Sequence, residues 1–259
     1  MATVDCVHSI EGNGPPVFMI HGIGARRAIW NDLTQRLAEN FTCISYDLRG
    51  HGDSPVSTTP FSLDDLVDDL EALREKLGID KAHVIGISLG GMIGPAYTRA
   101  HPDRVNSLGL LSTAAGRTAE DRAKLMGVIA AMEEQGIEPV LDTLVQRWYT
   151  DDFIAARPDA IQARIRDVLD TPPDVFMNVF HIYAETEMAP WLDQITVPAL
   201  VLTGELDGGC NPRLNRLIAD KLPNSELVIL DNLKHSILIE GPERVAAAVQ
   251  DFLIRQIGD

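Results

Sequence analysis

Short apolar runs alternate along the chain with longer segments in which apolar residues recur every three to four positions. The short runs are rich in Val, Ile and Leu, which is typical of strands buried in a parallel sheet. These predicted strands cover residues 17–21, 42–47, 83–87, 105–111, 199–203 and 226–230. The longer segments predict helices at residues 28–39, 62–77, 89–100 and 242–256. The alternation predicts an α/β fold with a mostly parallel, twisted sheet flanked by helices.

The helix after Ser62 carries clear start and stop signals. Asp64 and Asp65 place negative charge in its first turn, where the N-terminal end of a helix favours it. Gly78 follows its last apolar position and stops it. The helix should bury one leucine-lined face, formed by Leu63, Leu66, Leu70, Leu73 and Leu77.

The pattern changes between residues 116 and 190. No short β-branched run occurs there, and helical patterns cover residues 118–135, 138–150, 158–169 and 173–187. A loop of this length without structure of its own is uncommon in a folded protein. We therefore expect a helical cap, or lid, at residues 116–190, inserted before the late strands of a core formed by residues 1–115 and 191–259.

Composition narrows the class of protein. The chain has 259 residues, of which 45% are hydrophobic and 23% are charged, as in a globular protein with a substantial core. Lys and Arg number 22 against 38 Asp and Glu, which gives a formal net charge of −16. Binding to nucleic acid or to an anionic membrane surface relies on clustered basic charge, so neither partner is expected.

Cysteine usage and the first residues bear on location. Cys6, Cys43 and Cys210 are odd in number and far apart, so neither a disulfide framework nor a zinc site is expected. Residues 1–6 lack the pattern of a secretory signal, and no apolar run is long enough to span a bilayer. These features predict a cytoplasmic protein whose partner is a small-molecule substrate. They leave the oligomeric state open, a homo-oligomer included.

Residues 86–90 (GISLG) form a GxSxG pattern between a predicted strand and a predicted helix. A strand-to-helix turn this tight brings Gly86 and Gly90 against neighbouring backbone, where only small residues fit. Ser88 would then stand exposed at the carboxyl edge of the sheet, at a helix N-terminus that favours developing negative charge. We predict that Ser88 is a catalytic nucleophile.

A serine hydroxyl needs a base to accept its proton. His235 lies in a loop after the last predicted strand, at the same sheet edge as Ser88, and is the predicted base. His21 and His51 also lie in edge loops, but each precedes glycine, and we interpret them as organising those loops through backbone hydrogen bonds. His181 lies in the predicted cap, where contact with substrate is the lesser alternative to a structural role.

The base needs a carboxylate that fixes its tautomer and stabilises the imidazolium. Asp207 follows the predicted strand that ends at residue 203, again at the carboxyl edge, and is the predicted partner. Glu205 and Asp231 are the rival carboxylates in neighbouring positions.

An oxyanion formed at the substrate needs two preorganised backbone N–H groups. The amide of Leu89, directly after Ser88, should supply the first. The loop after residue 21 should supply the second, from Ile23, because the glycines beside it allow close approach to substrate. No sequence motif indicates a metal, phosphate or nucleotide site, so no cofactor is predicted.

Four further segments carry a family resemblance. They are residues 21–22 (HG), 47–54 (DLRGHGDS), 101–104 (HPDR) and 240–243 (EGPE), and with the GxSxG turn they follow the order found in α/β hydrolases. The chain resembles that family over nearly its whole length. The resemblance implies the α/β-hydrolase fold with a helical cap, and it implies a triad in the chain order Ser88, Asp207, His235.

Within that family, the chain looks most like the 3-oxoadipate enol-lactonase branch. Residues 88–93 (SLGGMI) and 111–115 (LSTAA) carry this likeness. The acid loop departs from the usual Asp-x-x-Thr-Pro, because residues 207–212 read DGGCNP and contain one extra residue. The departure bears on the subgroup more than on Asp207 itself.

Enol-lactonases of this branch act on a small enol-lactone that bears a carboxylate, so the resemblance implies a cationic contact for substrate. Arg26 and Arg27 follow the predicted oxyanion loop, and Arg147 lies beside Trp148 in the predicted cap. Taken singly, each arginine fits a solvated surface position at least as well. The acidic net charge makes a local cation necessary if the substrate is an anion.

We therefore expect a serine hydrolase that cleaves a small carboxylic ester or lactone through an acyl-enzyme. Hydrolysis of a carbon–carbon bond in a vinylogous diketone, on the same triad, is an alternative within this fold. A receptor-like protein that binds ligand without turnover is a second alternative, and an intact triad argues against it.

Overall fold

The computed structural model describes residues 1–56 and 58–257. Its centre is a seven-stranded sheet in the order β1-β3-β2-β4-β5-β6-β7. Strand β1 runs antiparallel to β3, and the other neighbours pair in parallel. The strands are β1 His8–Glu11, β2 Pro16–Ile20, β3 Thr42–Tyr46, β4 Ala82–Ile87, β5 Val105–Leu111, β6 Ala199–Gly204 and β7 Ser225–Leu230.

The six predicted strands are confirmed as β2 to β7, and β1 is the strand that the sequence pattern missed. It is four residues long, sits at the sheet edge and is nowhere fully buried, so it carries no apolar run. It pairs His8 with Tyr46, and its Ile10 is exposed. An edge strand of this kind is specified by its partner more than by its own residues.

Helices cover both faces of the sheet, as the alternating pattern predicts. The helices are α1 Asn31–Leu37, α2 Leu63–Lys76, α3 Gly90–Ala100, α4 Ala119–Gln135, α5 Leu141–Trp148, α6 Asp151–Ala156, α7 Pro158–Asp170, α8 Pro173–Glu185, α9 Pro212–Lys221, α10 Ile237–Glu240 and α11 Pro242–Arg255. The start of α2 is confirmed, since the Ser62 hydroxyl accepts a hydrogen bond from the Asp65 amide and the Asp65 carboxylate accepts one from the Ser62 amide.

The two faces of the sheet follow from alternation along each strand. In β2, Val17 and Met19 pack with one set of buried residues, and Phe18 and Ile20 pack with another. The first set includes residues of α1 and α11, and the second includes residues of α2, α3 and α9. The strands are apolar on both sides because helices cover both sides.

The chain between β5 and β6 contains α4 to α8. Helical structure in residues 138–150 is interrupted, because a 3-10 turn at Glu138–Val140 precedes α5 and a new helix, α6, begins after Thr150. Buried residues of α4, α5, α7 and α8 join the apolar cluster on the α2, α3 and α9 side. The two ends of this segment are tied by Glu187, whose carboxylate accepts hydrogen bonds from the amides of Gly116 at 2.8 Å and Ala189 at 2.9 Å.

Within the described residues, every helix is too short or too polar to cross a bilayer.

Candidate active site

Ser88 occupies a sharp turn between β4 and α3. Its φ of +56° lies in the left-handed region, which is costly for a residue with a side chain and recurs at functional sites. A Cβ on Gly86 would lie 2.0 Å from the carbonyl oxygen of Gly90, and a Cβ on Gly90 would lie 2.1 Å from that of Ile20. The turn therefore requires glycine on both sides of Ser88, and the predicted strand–turn–helix context is confirmed.

Asp207 and His235 meet at the same edge of the sheet. Nδ1 of His235 lies 2.8 Å from Oδ2 of Asp207. The other carboxylate oxygen, Oδ1, accepts the amide hydrogens of Gly209 at 2.9 Å and Cys210 at 2.8 Å. Asp207 is 2% exposed, so its charge is removed from water. Its three hydrogen bonds compensate for the lost hydration of the carboxylate.

The loop that carries His235 reaches Asp207 because the end of β6 has no side chain in its way. A Cβ on Gly204 would lie 2.3 Å from the carbonyl oxygen of Leu233. That carbonyl instead accepts the amide hydrogen of Leu206 at 2.9 Å. The loops after β6 and β7 are thus joined directly beside the carboxylate and the imidazole.

The electrostatics of His235 are set by two opposing effects. Burial alone would lower the pKa of the ring, but the charge of Asp207 and its hydrogen bond raise the pKa well above the ordinary histidine range. The contact between Nδ1 and Oδ2 of Asp207 places a ring proton on Nδ1, which donates it to the carboxylate. This leaves Nε2 as the nitrogen that can exchange a proton with another group.

The rival carboxylates and histidines named from the sequence lie in other contacts. Glu205 is exposed and accepts the Asn232 amide, and Asp231 is also exposed. His21 accepts the Leu48 amide at Nε2 and donates from Nδ1 to the carbonyl of Gly22. Nδ1 of His51 lies 3.1 Å from the carbonyl oxygen of Arg49. The prediction that these two histidines organise their loops is confirmed.

A cavity of about 370 Å³ lies above the sheet edge, between the sheet and the α4–α8 segment. Ser88, Asp207 and His235 all line it, so the structure brings the three predicted residues together. Trp148 and Phe180 of the α4–α8 segment provide apolar lining on the opposite side. Such a site suits a small ligand with an apolar part.

Two amides beside Ser88 are free to bind a ligand. Ile23 and Leu89 are buried, and neither amide N–H donates a hydrogen bond to any residue in the parts of the chain that the structure describes. The peptide before Ile23 is fixed, because the carbonyl of Gly22 accepts hydrogen bonds from the Ala25 amide and from His21 Nδ1. Buried amides without a partner are rare in proteins, and both amides can donate to a ligand oxygen.

The predicted cationic residues separate into two groups. Arg26 is paired with Asp167 at 2.7 Å, and Arg27 is paired with Asp47 and Asp53; neither arginine lines the cavity. Arg147 and Trp148 line the cavity, and Arg147 is exposed at its rim.

His181 lies apart from the cavity. Its Nε2 is 3.1 Å from a carboxylate oxygen of Glu133.

Two buried arginines at the cavity were missed by sequence reasoning. Arg117 is 7% exposed and Arg164 is 8% exposed. Arg164 sits between Ile161 and Val168 on the buried face of α7, and this charge at an apolar position is a signal that the sequence offered. Arg117 lies in the loop after β5, where no periodic pattern distinguishes it.

Arg164 holds the loop that contains Ile23. Its Nη2 donates to the carbonyl oxygen of Ile23 at 2.8 Å, and its Nη1 donates to that of Gly24. The guanidinium lies 4.6 Å from the centre of the Trp148 ring, and burial lowers its pKa. The carbonyl groups accept hydrogen bonds from this guanidinium but carry no net charge. Arg164 therefore keeps its positive charge and contributes positive potential to the cavity.

Arg117 has one guanidinium nitrogen that makes no hydrogen bond within the described residues. Nη1 donates to the carbonyl oxygen of Tyr183 at 3.0 Å, and the guanidinium lies 4.3 Å from the centre of that tyrosine ring. Nη2 is buried and has no hydrogen-bond partner among the described residues. A buried, unpartnered guanidinium nitrogen beside a cavity indicates an acceptor on a ligand.

Known proteins are similar to this chain in sequence and in structure. The family model described as alpha/beta hydrolase fold matches residues 15–134. The 3-oxoadipate enol-lactonase 2 of Acinetobacter baylyi is 26% identical over 249 residues, which cover 95% of this chain and 91% of that protein.

Two solved structures match over nearly the whole chain. The crystal structure of the enol-lactonase from Burkholderia xenovorans has a TM-score of 0.90 and 25% identity and covers 97% of each chain. The malate-bound thermophilic esterase from Thermogutta terrifontis has a TM-score of 0.89 and 26% identity, over 98% of this chain and 94% of that one.

The seven-stranded sheet, the Ser88 turn and these similar proteins together show that the chain has the α/β-hydrolase fold. It is similar to enol-lactonases in both sequence and structure. The proteins that it resembles are named as enol-lactonases and an esterase.

Proposed function

We propose that this hydrolase cleaves a small carboxylic ester or lactone through an acyl-enzyme on Ser88, with His235 as base and Asp207 as its partner. The observation that carries the proposal is the arrangement of the three side chains. Ser88 stands on a strained turn at the cavity that His235 also lines, and Nδ1 of His235 is held 2.8 Å from Asp207. This is the geometry by which a hydroxyl is activated at neutral pH.

The first half of the reaction forms the acyl-enzyme. Ser88 Oγ attacks the carbonyl carbon while Nε2 of His235 takes the hydroxyl proton. The carbonyl oxygen becomes an oxyanion that accepts hydrogen bonds from the amides of Ile23 and Leu89. When the carbon–oxygen bond of the ester breaks, Nε2 returns its proton to the departing alkoxide or enolate. In a lactone the departing oxygen stays attached to the acyl group.

The second half releases the product. Water attacks the acyl carbon while His235 takes one of its protons, and the same oxyanion site accepts the new negative charge. Collapse of this intermediate breaks the bond to Ser88, whose oxygen takes the proton back from Nε2. Asp207 remains ionised throughout and stabilises the imidazolium.

Residues 116–190 would act as a cap over a core formed by residues 1–115 and 191–259. The Trp148 carbonyl accepts the amide hydrogen of Ser236 at 2.9 Å, which joins this segment to the residue after His235. Trp148 and Phe180 would shelter the acyl group from bulk water. Exclusion of water strengthens the electrostatic interactions inside such a site.

The charges around the cavity favour a substrate that carries a carboxylate away from the bond that breaks. Arg117, Lys124, Arg147 and Arg164 line the cavity against two carboxylates, Asp121 and Asp207. Asp121 is paired with Arg213, Asp207 is bonded to His235 and Lys124 is paired with Glu120. Arg117, Arg147 and Arg164 are therefore the cations that favour an anionic substrate. Among them, Arg117 offers a buried donor, Nη2, that has no hydrogen-bond partner within residues 1–56 and 58–257.

The relatives are consistent with an anionic substrate. The similar Thermogutta terrifontis esterase was solved with malate bound, and the enol-lactonase of Acinetobacter baylyi is named for 3-oxoadipate. Both molecules are dicarboxylates. For this chain, the cations that line the cavity support extending that preference to its substrate.

The direct experiment is pre-steady-state hydrolysis of p-nitrophenyl acetate. A burst of p-nitrophenol equal to the enzyme concentration, followed by steady turnover, is expected from the wild type and is expected to vanish in Ser88→Ala. Ser112→Ala is a matched control, because Ser112 is a buried serine with a positive φ at the next strand end and does not line the cavity. Full turnover by Ser88→Ala would refute the proposal, and a burst without turnover would favour a ligand-binding role.

A further inference from the structure

A thiol lies beside the two residues that hold the predicted base in place. Cys210 Sγ, a carboxylate oxygen of Asp207 and a ring nitrogen of His235 all lie within 4.8 Å of one another. Among the described residues, this is the only group of three His, Cys, Asp or Glu side chains that converges in this way. Cys210 belongs to the segment DGGCNP, where the acid loop departs from the family pattern.

We propose that Asp207, Cys210 and His235 form a binding site for Zn²⁺ or another thiophilic divalent cation, and that occupancy switches the enzyme off. The cysteine spacing along the chain gives no hint of it. The site is assembled from the loops after β6 and β7, so it exists only in the folded protein.

The donor set selects the kind of metal. Thiolate, imidazole and carboxylate are the ligands that Zn²⁺ takes in proteins, whereas Mg²⁺ and Ca²⁺ prefer oxygen alone. Zinc–ligand bonds of about 2.0–2.3 Å place tetrahedral ligand atoms about 3.5 Å apart. Separations of up to 4.8 Å need to shorten by about 1.3 Å at most, which side-chain rotation can supply.

The surroundings complete the site. All three residues line the cavity, so a fourth coordination position can be taken by water from that side. The hydroxyl of Tyr183 lies 2.9 Å from Cys210 Sγ and can donate to the sulfur once it is a thiolate. A donor behind a metal ligand orients it and strengthens binding. One thiolate and one carboxylate also balance the charge of a divalent ion.

The consequence for turnover rests on the proposed role of His235. Nδ1 is the ring nitrogen that faces Asp207, and Zn²⁺ bound there takes the place of the Nδ1 proton. The neutral ring then carries its proton on Nε2 and cannot accept the proton of Ser88. On binding, the Cys210 thiol releases its proton to solvent. A neutral ring moves its Nδ1 proton to Nε2, and an imidazolium ring, whose Nε2 already carries a proton, releases the Nδ1 proton to solvent, so the protons balance in both states.

The test uses tag-free, full-length protein that has been treated with a chelator and then dialysed. Titration with Zn²⁺ in a calorimeter should give one saturable site per chain, and Co²⁺ should give a sulfur-to-cobalt charge-transfer band. Cys210→Ser should abolish the band and weaken Zn²⁺ binding, while Cys43→Ser, a buried thiol in β3, should leave both unchanged. Tyr183→Phe should weaken binding by roughly tenfold.

Turnover of p-nitrophenyl acetate gives an independent readout. Zn²⁺ should inhibit the wild type and the Cys43→Ser variant, a chelator should restore activity, and Cys210→Ser should resist inhibition. No saturable Zn²⁺ binding by the wild type, or an unchanged band in Cys210→Ser, would overturn the site. Saturable binding through Cys210 without inhibition would support the site and contradict the catalytic role proposed for His235. If Cys210→Ser does not fold, Cys210→Ala replaces it.

Discussion

Arg164 and Ile23 are 141 positions apart in the sequence, and the guanidinium of the first donates to the carbonyl oxygen of the second at 2.8 Å. The bond fastens α7 to the loop after β2. The same loop presents the Ile23 amide, which has no partner within the described protein. The position of the proposed oxyanion site therefore depends on a residue from the helical segment.

Replacing Arg164 should lower kcat more than it raises KM. In Arg164→Met, the carbonyls of Ile23 and Gly24 lose their donors and the loop can shift away from Ser88. We expect kcat for p-nitrophenyl acetate to fall about 10- to 100-fold, less than the loss of a whole oxyanion donor. Arg166→Ala is the matched control, because Arg166 is exposed on the same helix. Unchanged kcat in a folded Arg164→Met would contradict this positioning role.

Arg117→Met should discriminate between charged and neutral substrates. A charge-assisted hydrogen bond contributes about 1.5–3 kcal/mol, so KM for a carboxylate-bearing ester should rise about 10- to 100-fold. KM for a neutral ester of similar size should change little. Arg26→Ala should affect neither, because Arg26 is paired with Asp167 outside the cavity. Equal effects of Arg117→Met on both esters would indicate a structural role through Tyr183 instead.

Two glycines offer a matched pair of stability tests. In Gly204→Ala the new methyl group would meet the Leu233 carbonyl at 2.3 Å, so we expect a loss of about 1–3 kcal/mol in the free energy of unfolding, together with reduced turnover as the His235 loop shifts. In Gly127→Ala, within α4, the methyl group meets nothing within 4 Å. That variant should gain about 0.5–1 kcal/mol, since alanine favours helix. Urea unfolding measures both, and equal effects would refute the steric explanation.

Acid stability should depend on Glu71. Hydrogen bonds from Arg74, and then from Tyr97, outweigh burial and lower the pKa of this carboxyl group from 4.5 to about 2. In the unfolded chain Glu71 has the higher pKa, so the unfolded state binds a proton more readily than the folded state does. The ionised Glu71 therefore stabilises the fold at pH values above about 4.5. That contribution is lost as pH falls from about 4.5 towards about 2.

The corresponding variant is Glu71→Gln. Its deficit in the free energy of unfolding, relative to the wild type, should be largest near neutral pH and should shrink below pH 4.5. Urea titrations at a series of pH values measure the difference. A deficit that is constant with pH would mean that the carboxylate charge does not contribute.

The sequence was sufficient to predict the placement of Ser88, Asp207 and His235 because each follows a strand. Parallel strands bring their carboxyl ends to one edge, so local patterns determine which residues meet there. The reach of Arg117 and Arg164 into the cavity depends instead on how α7 and the loop after β5 pack against the sheet. Strand β1 escaped prediction for a related reason, since its pairing with β3 defines it.

The contrast between an acidic surface and a cationic cavity has a kinetic consequence for any anionic substrate. Dissolved ions screen the long-range field of the net charge of −16, because the Debye length is only about 8 Å at physiological ionic strength. The buried guanidinium of Arg117 acts at contact, where ions screen far less. Added salt should therefore raise the association rate of a carboxylate substrate and only slightly weaken its contact with Arg117. The enzyme would bind such a substrate faster at high ionic strength than in dilute buffer.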